Sequence, residues 1–270
     1  MEYRLLQHAH FPAALQDAAA VYLHIVQNYQ DVEYRIVLIG DSAGGNLALA
    51  LTRWIRDEGM LQMPHGLLLL SVSCLFGDYQ SLTYHSQPSC DPSHALDEML
   101  SLRQPRPNHQ SDYLTDTPKL RLLLLQTFLG FQNHEGEMLP EEAKKLRKIA
   151  YSEYVSPCSP IVLKRWGHKA PQDGMYDDND MDLGEERGSA KFPTLFYGFP
   201  KTLVIAGDAE RLTLEIGNLI QVMEKDGIDI EAKWIPDAVH DILVMNWDKK
   251  VTDSCWADIA DWMCQLRDQQ

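Results

Sequence analysis

The run from Tyr34 to Leu49, Tyr-Arg-Ile-Val-Leu-Ile-Gly-Asp-Ser-Ala-Gly-Gly-Asn-Leu-Ala-Leu, constrains the fold more than any other stretch of the chain. An apolar, β-branched segment ends at Ile39, the glycine-rich turn Gly40–Gly45 follows, and a helix-forming Asn-Leu-Ala-Leu comes next. That order predicts strand, tight turn and helix, with Ser42 at the apex. Gly40 and Gly44 complete the pattern G-x-S-x-G, a nucleophile elbow, in which the turn holds a serine in strained backbone geometry and glycine leaves room beside it. The plainer alternative is a small-residue turn with a capping Ser42 or Asp41. The two are separated by whether the rest of the chain supplies Ser42 with a base, an acid and an oxyanion hole.

The flanking segments point to an α/β architecture. Residues 11–30 carry apolar side chains at Leu15, Ala18, Ala19, Tyr22, Leu23 and Val26, with Pro12 at a plausible first helical position, and so predict a helix. His24 lies on it and reads as a surface or packing residue. The elbow strand is expected over 34–39 and its helix over 45–58, stopped by Gly59. Residues 64–74, with their continuous leucine run, read as a strand buried on both faces. Strand, helix and strand in close succession make a βαβ unit, hence a parallel sheet. The same alternation returns near the C-terminus. A strand over 200–207 delivers Asp208 and Glu210, a helix spans Thr213–Asp226, a strand covers Ile230–Ile235, and a last amphipathic helix runs from Ser254 to Arg267.

Between these halves the periodicity is lost. Residues 76–150 predict short helices near His94–Leu102 and Asp112–Leu114, a clearer one over Thr117–Gly130, and another from Pro140. So long a stretch without strand signals reads as a helical insertion, either a lid or a surface excursion. Its Leu122–Leu125 and Phe128–Phe131 segments suit an apolar pocket or helix core equally well. Residues 167–190 are strongly acidic; the run Asp177–Asp182 lacks the spacing and closing glutamate of a calcium loop, and a solvated acidic loop is the expectation. The expected organisation is thus an α/β core over 1–75 and 191–270, the insertion over 76–150, and the acidic loop.

A formal charge of −15 argues against nucleic acid or anionic membrane surfaces as partners. The five cysteines, Cys74, Cys90, Cys158, Cys255 and Cys264, are scattered and form no C-x-x-C pair, so neither a disulfide framework nor a zinc site is expected. No apolar run is long enough to span a bilayer, and the first residues lack the pattern of a signal peptide. A cytoplasmic protein is the expectation.

In open α/β sheets, reacting groups gather beyond the carboxyl ends of the strands. Ser42, the pair Asp208 and Glu210, and His240 each follow a predicted strand closely, in the order serine, acid, histidine. The chemistry requires all three. An imidazole must take the proton from a poorly nucleophilic hydroxyl, a carboxylate must orient that imidazole, and backbone N–H groups must hold the oxyanion. Such a site uses no cofactor and no metal.

The chain resembles the hormone-sensitive-lipase-like branch of the α/β-hydrolases, the fold-3 carboxylesterases, and looks closest to their fungal members. The resemblance rests on Tyr3-Arg4-Leu5, His10 to Asp17, Gly40-Asp41-Ser42-Ala43-Gly44-Gly45-Asn46, Tyr154-Val155-Ser156-Pro157, Ala206 to Glu210 and His240-Asp241. It implies an α/β-hydrolase fold with a helical lid and a carboxylesterase acting on short to medium acyl esters. It implies Ser42 as nucleophile, His240 as base, Glu210 as acid with Asp208 as runner-up, and the N–H of Ala43 as an oxyanion donor. Members of that branch also carry a His-Gly-Gly-Gly loop, upstream of the Tyr-Arg-Leu stretch, that completes the oxyanion hole. The 270 residues contain no such run, so the resemblance implies a truncated chain lacking that loop and the first strands of the fold. Removal of one oxyanion donor typically costs about 10²–10³ in turnover. The alternatives are therefore a catalytically impaired small-molecule binding module, and an acyltransferase or amidase built on the same triad.

Overall fold

The computed structural model describes residues 1–29, 35–74, 112–114, 118–130, 145–146, 148–168 and 191–268. Strands β1 (Val37–Asp41), β2 (Gly66–Leu70), β3 (Lys201–Gly207) and β4 (Ile230–Ile235) form a sheet in the order β1-β2-β3-β4, every adjacent pair parallel. In chain order the helices are α1 (Ala13–Asn28), α2 (Ala43–Glu58), α3 (Pro118–Leu129), α4 (Pro160–Arg165), α5 (Thr213–Lys225), α6 (Ile242–Met245) and α7 (Lys249–Asp268). Parallel neighbours cannot be joined by a hairpin, and α2 and α5 provide the crossovers between β1 and β2 and between β3 and β4.

The leucines of β2 explain the layering. Every residue of this strand is buried, and successive side chains point to opposite faces. Leu67 and Leu69 pack with Leu49 of α2, Val162 of α4, and Ile216 and Met223 of α5. Leu68 and Leu70 pack with Ile242 of α6 and with Ile259, Trp262 and Leu266 of α7. A strand buried on both faces can be apolar throughout, whereas a half-buried strand must alternate. A second shell forms where Leu15, Ala18 and Tyr22 of α1 meet Ala50, Leu51 and Ile55 of α2.

α2 is fastened on a third side by a buried cation. Arg53 is almost fully buried, donates from Nη1 to the Leu195 carbonyl at 2.7 Å, and lies 5.3 Å from the ring centres of both Phe196 and Phe199. Burial pushes its guanidinium down to about 10, and the charge of Arg56 adds to that. Arg56 donates to the same carbonyl at 2.9 Å and stacks over Phe192 at 4.2 Å. Hydrogen bonding and cation–π attraction thus hold residues 192–199 against the helix whose first turn carries Ser42.

Several boundaries differ from the sequence expectation. β1 runs through Gly40 to Asp41 and α2 begins at Ala43 rather than residue 45, so Ser42 is the whole connection. β2 is shorter than 64–74, because Ser71 adopts a left-handed φ of 43° and leaves the extended conformation. α7 starts at Lys249 instead of Ser254, with Asp248 Oδ1 accepting the N–H groups of Lys250 and Val251. The short helices α4 and α6 were not anticipated. Asp112–Leu114 is not helical.

Most of the expected insertion over 76–150, including His94–Leu102 and the start at Pro140, lies outside the described residues, as does 169–190 of the acidic stretch. Within α3, Leu125 is buried against Leu146, Ala150 and Val155, while Leu123 and Leu124 are exposed, so Leu125 belongs to the helix core. Cys74, Cys158, Cys255 and Cys264 are free thiols; Cys90 lies outside the described residues. Among the described residues, no helix is long and apolar enough to cross a membrane.

Candidate active site

Ser42 sits at the apex between β1 and α2 with φ 47° and ψ −116°, a backbone state that costs a non-glycine residue about 1–3 kcal/mol. The surroundings enforce it. Its N–H donates to the Leu70 carbonyl at 2.8 Å, and its own carbonyl accepts from Ser73, Gly45 and Asn46. The two glycines of the pattern play unequal parts. A Cβ on Gly40 would lie 2.2 Å from the Gly44 carbonyl oxygen, so strand and helix can approach this closely only if residue 40 is glycine. A Cβ on Gly44 would meet nothing nearer than Asp41 Oδ1 at 3.8 Å, and one on Gly45 would strike Val72 Cγ2 at 2.7 Å. The close-approach glycines are therefore 40 and 45. Asp41 is exposed at the end of β1.

His240 lies in the turn between β4 and α6, and its side chain is 3 % exposed. Its Nε2 is 3.0 Å from Ser42 Oγ and its Nδ1 is 2.8 Å from Glu210 Oε2. Glu210 is fully buried just beyond β3, where its other oxygen, Oε1, accepts the N–H of Gly207 at 2.7 Å and the hydroxyl of Ser71 at 3.2 Å. The expected serine, histidine and glutamate thus form one continuous hydrogen-bonded chain. Asp208 is not part of it, because its Oδ1 accepts the N–H of Asp237 at 2.7 Å.

The turns after β3 and β4 are stitched together to hold this chain. Asp208 N–H donates to the Ile235 carbonyl and Ala209 N–H to the Ala238 carbonyl, each at 3.0 Å. A Cβ on Gly207 would lie 2.0 Å from that same Ala238 oxygen, so this approach also requires glycine. Asp112, brought from a distant part of the chain, accepts the N–H groups of His240 (3.3 Å) and Leu114 (3.3 Å) at Oδ1 and that of Arg211 (2.7 Å) at Oδ2. One carboxylate therefore ties the backbone beside the acid to the backbone of the histidine. Sequence reasoning missed Asp112, Ser71 and Asp241. A carboxylate that caps backbone N–H groups of remote loops leaves no local pattern to find.

The electrostatics favour a charged imidazole. Burial opposes the imidazolium, but the hydrogen bond to Glu210 and the charges of Asp241, Glu210 and Asp112 outweigh it and hold His240 above its ordinary value. Tyr113, half-open to solvent with its ring centre 6.3 Å from that of His240, is pushed up by burial and by Asp241, Asp112 and Glu210. Trp247 packs edge-on against Tyr113 at 5.3 Å, so an exposed aromatic pair borders the histidine.

Ala43 is the first residue of α2, and its N–H is among the initial helix donors that have no acceptor within their own helix. The helix macrodipole adds positive potential at that end. An arrangement of this kind can do three things at once. It can deprotonate a serine hydroxyl through Nε2, stabilise the resulting imidazolium through a buried carboxylate, and offer an N–H to negative charge developing on a bound carbonyl oxygen. Among the described residues, no cluster of His, Cys, Asp and Glu is arranged to hold a metal ion.

Comparison with known proteins agrees with this architecture. Residues 1–114 match a family model described as the alpha/beta hydrolase fold. LipR of Mycobacterium tuberculosis (strain ATCC 25618 / H37Rv), whose name proposes an acetyl-hydrolase, is 44 % identical over 69 residues, which are 26 % of this chain and 22 % of LipR. The crystal structure of a hormone-sensitive lipase from a metagenome library superposes with a TM-score of 0.60 at 19 % identity, over 98 % of this chain and 65 % of that one. EstE7, a homologue of that lipase also from a metagenome library, gives a TM-score of 0.58 at 21 % identity, over 98 % of this chain and 66 % of its own. A bacterial brefeldin A esterase gives 0.59 at 19 % identity, over 96 % of this chain and 55 % of its own. The chain thus spans two-thirds or less of the length of each relative, and at these identities the superpositions speak for the fold. With a parallel sheet, a strained serine elbow, these superpositions and a matching family model over its first 114 residues, the chain has the α/β-hydrolase fold.

Proposed function

We propose that the chain is a serine carboxylester hydrolase, with Ser42 as nucleophile, His240 as general base and Glu210 as the carboxylate that orients it. The observation that carries this reading is the unbroken chain Ser42 Oγ–Nε2 His240 Nδ1–Glu210, at 3.0 and 2.8 Å. Ser42 attacks the ester carbonyl while His240 Nε2 takes its proton, and the N–H of Ala43 donates to the oxyanion. The tetrahedral intermediate then collapses, the alkoxide leaves with the proton from Nε2, and Ser42 carries the acyl group as an ester. Water, deprotonated by the same imidazole, attacks that ester and releases the acid. Glu210 keeps the proton on Nδ1, so the Nε2 lone pair faces the hydroxyl.

The exposed pair Tyr113 and Trp247 beside His240 offers an apolar surface for a short or medium acyl chain or its alcohol. The names of the related esterases point the same way. Turnover of p-nitrophenyl acetate and butyrate tests the reading against a Ser42→Ala control. Turnover at least a hundredfold above the control supports it, and equal rates for the two proteins overturn it.

A further inference from the structure

We propose that Asp241 is a second carboxylate acting on His240, placed at Nε2 as Glu210 is placed at Nδ1, and that it holds the base toward its protonated form. This rests on the reading of His240 as the base for Ser42. Asp241 follows His240 directly in the chain, and its left-handed backbone (φ 55°, ψ 35°) turns the side chain back across the imidazole. Its N–H donates to Ser71 Oγ at 3.1 Å, and the same Ser71 hydroxyl donates to Glu210. In this turn Asp241 Oδ2 lies 3.4 Å from Nε2, the nitrogen that also meets Ser42 Oγ at 3.0 Å.

Two oxygens therefore share one nitrogen, and they favour opposite states of it. The Ser42 hydroxyl needs a bare lone pair on Nε2 to receive its proton. An ionised Asp241 opposes that lone pair and attracts an Nε2–H. The carboxylate has little else to answer to: its Oδ1 is buried without a hydrogen-bond partner among the described residues.

Among the described residues, the charged and titratable groups acting on the pair come from several neighbouring segments. They are Asp41 from the end of β1, Glu210 beyond β3, and Asp112 and Tyr113 from the segment packed over the histidine. Burial pushes the Asp241 carboxyl up to about 6; the His240 charge works against this, and Asp41, Glu210 and Asp112 add to it. Asp241 and His240 thus bias each other's charge. Toward alkaline pH the imidazole is freed and can serve Ser42. As pH falls, the ionised Asp241 favours the proton on Nε2. During acylation the same carboxylate stabilises the imidazolium that Ser42 creates. Asp241 acts through His240 and is a positioning residue.

Asp241→Asn removes the charge, keeps the shape, and suits the left-handed backbone, which Asn tolerates. Asp241→Gly also accepts that φ without strain. The ring nitrogens of ¹⁵N-labelled His240 are titrated by NMR in the full chain and both variants, and the pH dependence of p-nitrophenyl butyrate turnover is recorded alongside. Loss of the charge is expected to lower the His240 midpoint by about one pH unit in both variants. The acid limb of kcat/KM should move down by the same amount. A purely structural role for Asp241 would alter rates without moving the ring titration. A His240 midpoint that stays put or rises in both variants overturns the proposal. A chain that hydrolyses no ester overturns the hydrolase reading alone, and the ring titration still decides the part played by Asp241.

Discussion

Replacing Glu210 by Gln, with Asp208→Asn beside it, separates the two carboxylates that follow β3. Among the described residues, Glu210 Oε1 accepts two donors, the fixed backbone N–H of Gly207 at 2.7 Å and the Ser71 hydroxyl at 3.2 Å, whereas Oε2 meets only Nδ1 of His240 at 2.8 Å. A glutamine in this buried site has one acceptor oxygen, and the Gly207 N–H claims it. The amide NH₂ then faces Nδ1, which must become an acceptor, so the imidazole proton moves to Nε2. The lone pair that serves Ser42 is gone. A wrong tautomer of this kind costs a triad roughly 10³–10⁴ in turnover, or about 4–5.5 kcal/mol of transition-state stabilisation. Asp208, whose carboxylate instead accepts the N–H of Asp237, should lose less than about tenfold on conversion to Asn, since its Oδ1 bond is exposed and does not reach His240. The assay is kcat/KM for p-nitrophenyl butyrate, with thermal melts to establish that both variants fold. A Glu210→Gln variant within tenfold of the parent, or an Asp208→Asn variant that loses more than it does, would refute the reasoning.

The elbow glycines should behave oppositely in urea denaturation. Gly40→Ala forces a Cβ to within 2.2 Å of the Gly44 oxygen and should cost about 3 kcal/mol or more, while Gly44→Ala, with nothing nearer than 3.8 Å, should stay within about 1 kcal/mol. Trp262→Ala, which empties the heart of the α7 face of the sheet, should destabilise by about 3–5 kcal/mol, read as a lower urea midpoint at unchanged m-value. Because His240 is held above its ordinary value, the acid limb of the pH–rate profile should lie above the usual histidine midpoint of about 6.5. The same shift has a stability counterpart. The imidazolium stabilises the fold below that ordinary value, and this contribution is lost as pH rises through the folded value, a trend that His240→Gln should flatten in denaturation at acid and alkaline pH.

Much of this site was legible in the chain because its parts lie where local pattern and topology coincide. An all-leucine strand can only be central, and a serine between an apolar strand and a glycine-rich helix start can only be an elbow or a cap. The order serine, acid, histidine after successive strands placed all three groups at one end of the sheet. The strand pattern alone left Glu210 and Asp208 open and the resemblance favoured Glu210; in the structure the two carboxylates differ in which turn their oxygens reach. The role of Gly44 was misread for a similar reason. What matters at Gly40 is the backbone of residue 44, and a spacing pattern cannot distinguish an atom from its neighbour. Asp112 was expected on a short helix, but its oxygens go to Leu114, Arg211 and His240. Those bonds exist only once the chain has folded, and so do the paired contacts of Ser71 and the approach of Asp241 to Nε2.

The central claim is that Ser42 is a nucleophile activated by His240, and covalent phosphonylation reads that directly. The full chain, incubated with a fluorophosphonate and digested, should yield a single modified peptide containing Ser42 by mass spectrometry. Labelling should vanish in Ser42→Ala and slow at least a hundredfold in His240→Gln. A chain that takes up no label at Ser42 while remaining folded, or one labelled equally fast without His240, would contradict it.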